Sequence, residues 1–198
     1  MNYKREVYLS AVKTQLDTNI FNHSLALEAC MSGLYNYFKN NNLLDINEPS
    51  KDEWMLAGLI HDIDFSGDYK QFHPTKTREV LSKFNLEISD RIYNTIQAHD
   101  SRISGIKCIN KAEWSIFCAD SLTGLIVAVA LVYPTKKLVD VKISSVLKRL
   151  LHQPKFASGT RRDEVEMCSN PQGLNLSLEK FVEICLTSMQ KIAFDIGL

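Results

Sequence analysis

The sequence predicts an all-α protein, a helical bundle carrying a C-terminal helical appendage. Three observations lead there. β-like alternation of apolar and polar residues is absent over any useful length. Apolar residues recur instead at helical spacing, as Leu27, Cys30 and Leu34 do on one stripe. Helix starts are also written as caps, Ser50 with Glu53 and Asn110 with Glu113.

A first amphipathic helix is expected near Lys4 to Asp17 and a second from about Phe21 to Lys39. The polar run NNNLLDINEPS is a loop, and the Ser50 cap opens a helix through Trp54 to His61. A loop carrying Gly67 ends near Pro74, followed by shorter helices at about Thr75 to Lys83 and Ile88 to His99. The Asn110 cap starts a long helix reaching Tyr133, where Pro134 stops it. Helices near Leu138 to Leu151, Arg162 to Ser169 and Ser177 to Ile196 complete the chain. No repeat, low-complexity tract or long linker divides it, so one domain is expected, with Pro134 as the boundary between core and appendage.

With 45% hydrophobic and 23% charged residues, the 198-residue chain has the composition of a soluble globular protein. Lys+Arg 23 balances Asp+Glu 23, so no global field draws nucleic acid or acidic membranes. The start, MNYKREVYLS, lacks an apolar signal segment, and the longest apolar run, roughly Leu122 to Tyr133, is too short to span a bilayer. Five cysteines, odd in number and without a CxxC, read as reduced core thiols and point to the cytoplasm. Homo-oligomerisation is left open.

The stretch LAGLIHDIDF, Leu56 to Phe65, drives an apolar helix into ionisable groups. A buried carboxylate is costly unless it is paired or holds a metal. Asp120 raises the same question, as the only charge between Glu113 and Lys136 in a helix that is hydrophobic nearly all round. A salt bridge or an exposed helix end would answer it; so would a divalent cation. His23 falls on the apolar stripe of the second helix, where alone it reads as a core histidine bonded to a backbone carbonyl. The His-Asp pair occurs twice, and context separates the copies: His61-Asp62 ends an apolar helix, while Asp100 after His99 reads as a helix-end or turn residue. His73, before Pro74, reads as a loop histidine, and His152 as a helix-end one. Taken together, His23, His61, Asp62 and Asp120 make a mixed N/O set suited to Mn, Fe, Co, Ni or Zn more than to Ca, delivered by separate helices as bundle metal sites are.

These residues, with the segments NHSLALEACM, LAGLIHDID, IQAHD and CADSLTGLIVAVALVYPTKKLVDVKISSVLKRL, resemble the HD superfamily of metal-dependent phosphohydrolases, signature H…HD…D. The likeness is to the small bacterial predicted hydrolases of the HDIG type and runs over nearly the whole chain. The resemblance implies an HD-domain bundle with a metal-binding core at about 18–133 and C-terminal helices at 135–198. It implies His23, His61, Asp62 and Asp120 as ligands of a first metal. His73 and His99 would serve a second ion, with Asp62 bridging. Two departures stand out: no lysine follows the HD pair, and one histidine stands where some two-metal members carry two. The expected activity is hydrolysis of a phosphate ester of a small metabolite or nucleotide by a metal-activated water. A di-iron oxygenase and a non-catalytic sensor module are the alternatives.

Between Lys136 and Arg162 the chain is rich in Lys and Arg, most of which read as a solvated face. Lys155 and Arg162 border the Gly-containing loop FASGT and are the expected phosphate contacts. Asp64 is read as a proton-transfer group at the edge of the site.

Overall fold

A computed structural model describes residues 3–198. It contains ten α-helices and three short 3-10 segments, with no strand among the described residues. The all-α expectation holds. In order, the helices are α1 (Arg5–Gln15), α2 (Thr18–Asn40), α3 (Lys51–Ile60), α4 (Thr77–Ser82), α5 (Asp90–Ala98), α6 (Ser101–Ser104), α7 (Lys111–Leu131), α8 (Ile143–His152), α9 (Arg162–Glu166) and α10 (Leu178–Gln190).

Helix α2 is the axis of the bundle, packing against α3, α7 and α10. Its 23 residues span about 34 Å at 1.5 Å per residue. Asp17 caps it by accepting from the backbone N–H groups of Asn19 and Ile20 at 2.9 and 3.0 Å. Its inward stripe, Leu27, Cys30, Met31, Leu34 and Phe38, is fully buried.

Helix α3 opens with the expected capping box between Ser50 and Glu53. It can lie tightly on α2 because Gly58 has no side chain: a Cβ there would sit 3.0 Å from the Glu28 backbone and from Met31 Cγ. That close approach sets the position of His61, three residues further on.

Helix α7 is longer than the apolar run seen in sequence, and by length and composition it could cross a membrane. Here it is a core helix, burying Ile116, Cys118, Leu122, Leu125, Ile126 and Val129 between its neighbours. It begins at Lys111 behind the expected Asn110 cap and ends at Leu131, just short of the expected Tyr133.

The helices beyond Pro134 join the same core and do not hang from it as an appendage. Val146, Leu150, Val165, Phe181, Cys185 and Met189 belong to one continuous cluster with the interior of α2 and α7. The reason is local: at Gly33 of α2 an added Cβ would meet Ser188 of α10, so the two helices cross in near contact. Helix α10 also ends at Gln190, short of the expected Ile196, and turns follow. All five cysteines are free thiols and four are buried.

Candidate metal centre

The ends of α3 and α5 and the middle of α7 converge on the second turn of α2. His23 comes from α2, His61 is the C-cap of α3, His99 is the C-cap of α5, and Asp120 lies within α7. His73 follows the 3-10 segment Gly67–Phe72. His61, Asp62, His73, His99 and Asp120 are all buried, and His23 is partly so.

Helix C-termini leave carbonyls without partners, and two of these histidines use them. His61 Nδ1 lies 2.9 Å from the Gly58 carbonyl, and His99 Nδ1 lies 2.6 Å from the Ile96 carbonyl, each three residues back. A carbonyl only accepts, so both Nδ1 atoms carry the proton. His73 Nδ1 stands 2.7 Å from Asp64 Oδ1 and donates to it in the same way. For His23 the partner is Thr123 Oγ1 at 2.9 Å; that hydroxyl gives its own proton to the Asp120 carbonyl at 2.7 Å, so it accepts from His23 Nδ1. All four imidazoles are thereby held in one tautomer, with the Nε2 lone pair turned inward.

What these lone pairs face is other lone pairs. His61 Nε2 is 3.2 Å from His23 Nε2, and His73 Nε2 is 2.9 Å from His99 Nε2. Asp120 Oδ1 lies 2.8 Å from His23 Nε2 and 3.5 Å from His61 Nε2. Asp62 spans both pairs: Oδ2 is 3.2 Å from His61 Nε2 and 3.7 Å from His23 Nε2, while Oδ1 is 3.3 Å from His73 Nε2 and 4.0 Å from His99 Nε2. Such an arrangement repels itself unless positive charge occupies the middle. Ligand atoms about 2.1 Å from an ion and roughly 90–109° apart lie about 3.0–3.4 Å from one another, and the separations here, 2.8–4.0 Å, bracket that range. Two buried groups, His23–His61–Asp62 and Asp62–His73–His99, could each hold a metal ion.

Without an ion, protons take that place. Burial pulls the His61 imidazole down, but the charges of Asp62 and Asp120 outweigh it and carry it up to about 10. His99 is pulled down to about 4, by burial first and then by positive His61. Burial raises Asp62 and Asp120, yet His61 and His23 hold both well below the usual carboxylate range.

The cluster forms the floor of a cavity of about 440 Å³, with Ile20, Phe65 and the 157–161 segment among its walls. Three residues read as site members in the sequence fall elsewhere. Lys155 is exposed and does not line the cavity. Arg162 does not line it either: its guanidinium donates to the carbonyls of Leu150, Gln153, Phe156, Ala157 and Thr160, tying the loop together. Asp64 is fully buried, not at the edge, and both its oxygens are engaged, Oδ1 by His73 and Oδ2 by the Lys76 backbone N–H at 2.7 Å. It orients His73. Asp100 lines the cavity and pairs with Arg102 at 3.3 Å.

Two contributors were missed. Thr123 sits three residues after Asp120, a spacing that shares a helix face and was legible. Arg161 lines the cavity and donates from Nη2 to Asp120 Oδ2 at 2.6 Å; nothing in sequence separated it from Arg162.

No protein-family model matches the chain, and no curated protein or solved structure does.

Proposed function

We propose that this chain is an HD-type, metal-dependent phosphohydrolase of the cytoplasm that cleaves a phosphate ester of a small metabolite or nucleotide. The observation that carries the reading is the convergence of four inward Nε2 lone pairs on the carboxylates of Asp62 and Asp120 beneath an open cavity. That donor set fits two divalent transition ions, Mn, Fe, Co, Ni or Zn. His23, His61 and Asp120 would hold the first and His73 and His99 the second, with Asp62, whose two oxygens face His61 and His73, shared by both.

Bound there, divalent ions lower the pKa of water and polarise a phosphoryl oxygen. The protein's part is to fix the ligands. Thr123, Gly58, Ile96 and Asp64 lock the imidazole tautomers, so little reorganisation is needed when charge develops at phosphorus. The net reaction adds the elements of water across the P–O ester bond, releasing an alcohol and phosphate.

The test is a screen of phosphate esters against protein loaded separately with each candidate metal, with oxygen consumption followed in parallel. Metal-dependent phosphate release is expected. Oxygen uptake by the iron form without phosphate release would favour an oxygenase, and neither activity a binding module.

A further inference from the structure

Two adjacent arginines in the tail differ in what their donors are doing. Arg162 spends its guanidinium on loop carbonyls. Arg161 uses Nε on Glu164, and Nη2 on Asp120 Oδ2 and, more distantly, on the His99 carbonyl. Its Nη1, with two N–H groups, donates to no protein group among the described residues. The side chain is 25% exposed and lines the cavity above the metal cluster. A guanidinium clamped at one end by two carboxylates and open at the other is held in place for an anion.

Arg161 is also the only Lys or Arg among the residues lining that cavity, against Asp62, Asp100 and Asp120. With two divalent ions in place, the lining would carry about two positive charges, matching one phosphomonoester, which has a charge of roughly −1.5 to −2 at pH 7. The further charges of a di- or triphosphate would find no second Lys or Arg in the lining, and Arg102, just outside it, is engaged by Asp100 and Glu164. Of the remaining lining, Ile20, Phe65 and Ala157 are apolar and suit the organic part of the ester, beside the polar Ser121, Ser158 and Thr160.

We infer that Arg161 is the phosphate contact of this site and that the site takes phosphomonoesters in preference to di- and triphosphates. The substrate class rests on the phosphohydrolase reading; the phosphate contact does not. Binding of inorganic phosphate to the metal-loaded protein, read by calorimetry, tests the contact. Arg161→Ala should weaken it by about ten- to a hundredfold, the loss of a charged hydrogen-bonding partner, with metal content unchanged. Arg161→Lys should recover part of it, and Lys155→Ala should match wild type. Equal phosphate affinity in wild type and Arg161→Ala, or no phosphate binding by wild type, overturns the assignment. For substrate class, matched nucleoside mono-, di- and triphosphates are compared by kcat/KM and, in parallel, by competition with inorganic phosphate. Preference for the monophosphate is expected, and equal or better use of the triphosphate overturns it. If phosphate binds through Arg161 while no ester is cleaved, the hydrolase reading fails and the anion site stands; the competition then decides the preferred phosphate.

Discussion

Asp64 accepts the Nδ1 proton of His73 at 2.7 Å from a fully buried position, and its other oxygen takes the Lys76 backbone N–H. A carboxylate so placed governs a ligand without touching the cavity. Asp64→Asn keeps the shape but removes the charge that fixes the imidazole. Affinity for the ion at His73 and His99 should fall about ten- to a hundredfold, while the ion at His23 and His61 is retained. Stepwise metal titration reads the two separately, and two wild-type affinities would refute the role.

Gly58 links the packing to the chemistry. Gly58→Ala would press a Cβ 3.0 Å from the Glu28 backbone, which cannot move as a side chain tip can. The expected cost is about 1–3 kcal/mol, visible as a lower Tm. Because α3 would shift off α2, His61 should leave His23 and metal affinity should drop as well. A variant of wild-type Tm and metal affinity would show that the close approach is immaterial.

Protons and metal compete for the same atoms. In metal-free protein His61 is raised from 6.5 to about 10, so its stabilising proton is fully present below 6.5 and lost as pH rises toward 10. Asp62 and Asp120 are lowered, so their contribution is present above the ordinary 3.8 and lost as pH falls below it. His99 is lowered from 6.5 to about 4, so stability is lost as pH falls from 6.5 toward 4. Chelated protein should therefore show its highest Tm at about pH 6.5 and lower ones at about pH 4.5 and at pH 9. Metal-loaded protein should keep its Tm at pH 9, since the ion replaces the proton. A chelated Tm that climbs from pH 6 to pH 9 would contradict this.

The helices were legible because caps and apolar stripes are local signals: Ser50 with Glu53 and Asn110 with Glu113 both cap as read. His23, His61, Asp62 and Asp120 were legible as a group because charge within apolar helices needs a partner. His73 and His99 were named only through family resemblance, since each taken alone looked like a loop or helix-end residue. What brings them together, His73 Nε2 2.9 Å from His99 Nε2, is a long-range pairing with no local trace. The choice between Arg161 and Arg162 failed for the same reason: the direction of a guanidinium depends on how the loop closes. The integration of the tail was hidden too, because the crossing of α2 and α10 turns on one glycine at position 33 meeting Ser188.

The central claim is that Asp62 stands between two ions. Metal content per chain, measured after loading and desalting, tests it most directly in wild type, His99→Ala and Asp62→Ala. Two ions in wild type, one in His99→Ala and almost none in Asp62→Ala are expected, because Asp62 turns one oxygen to each histidine pair. Wild-type protein that retains no transition metal, or Asp62→Ala that retains the wild-type amount, would contradict the account.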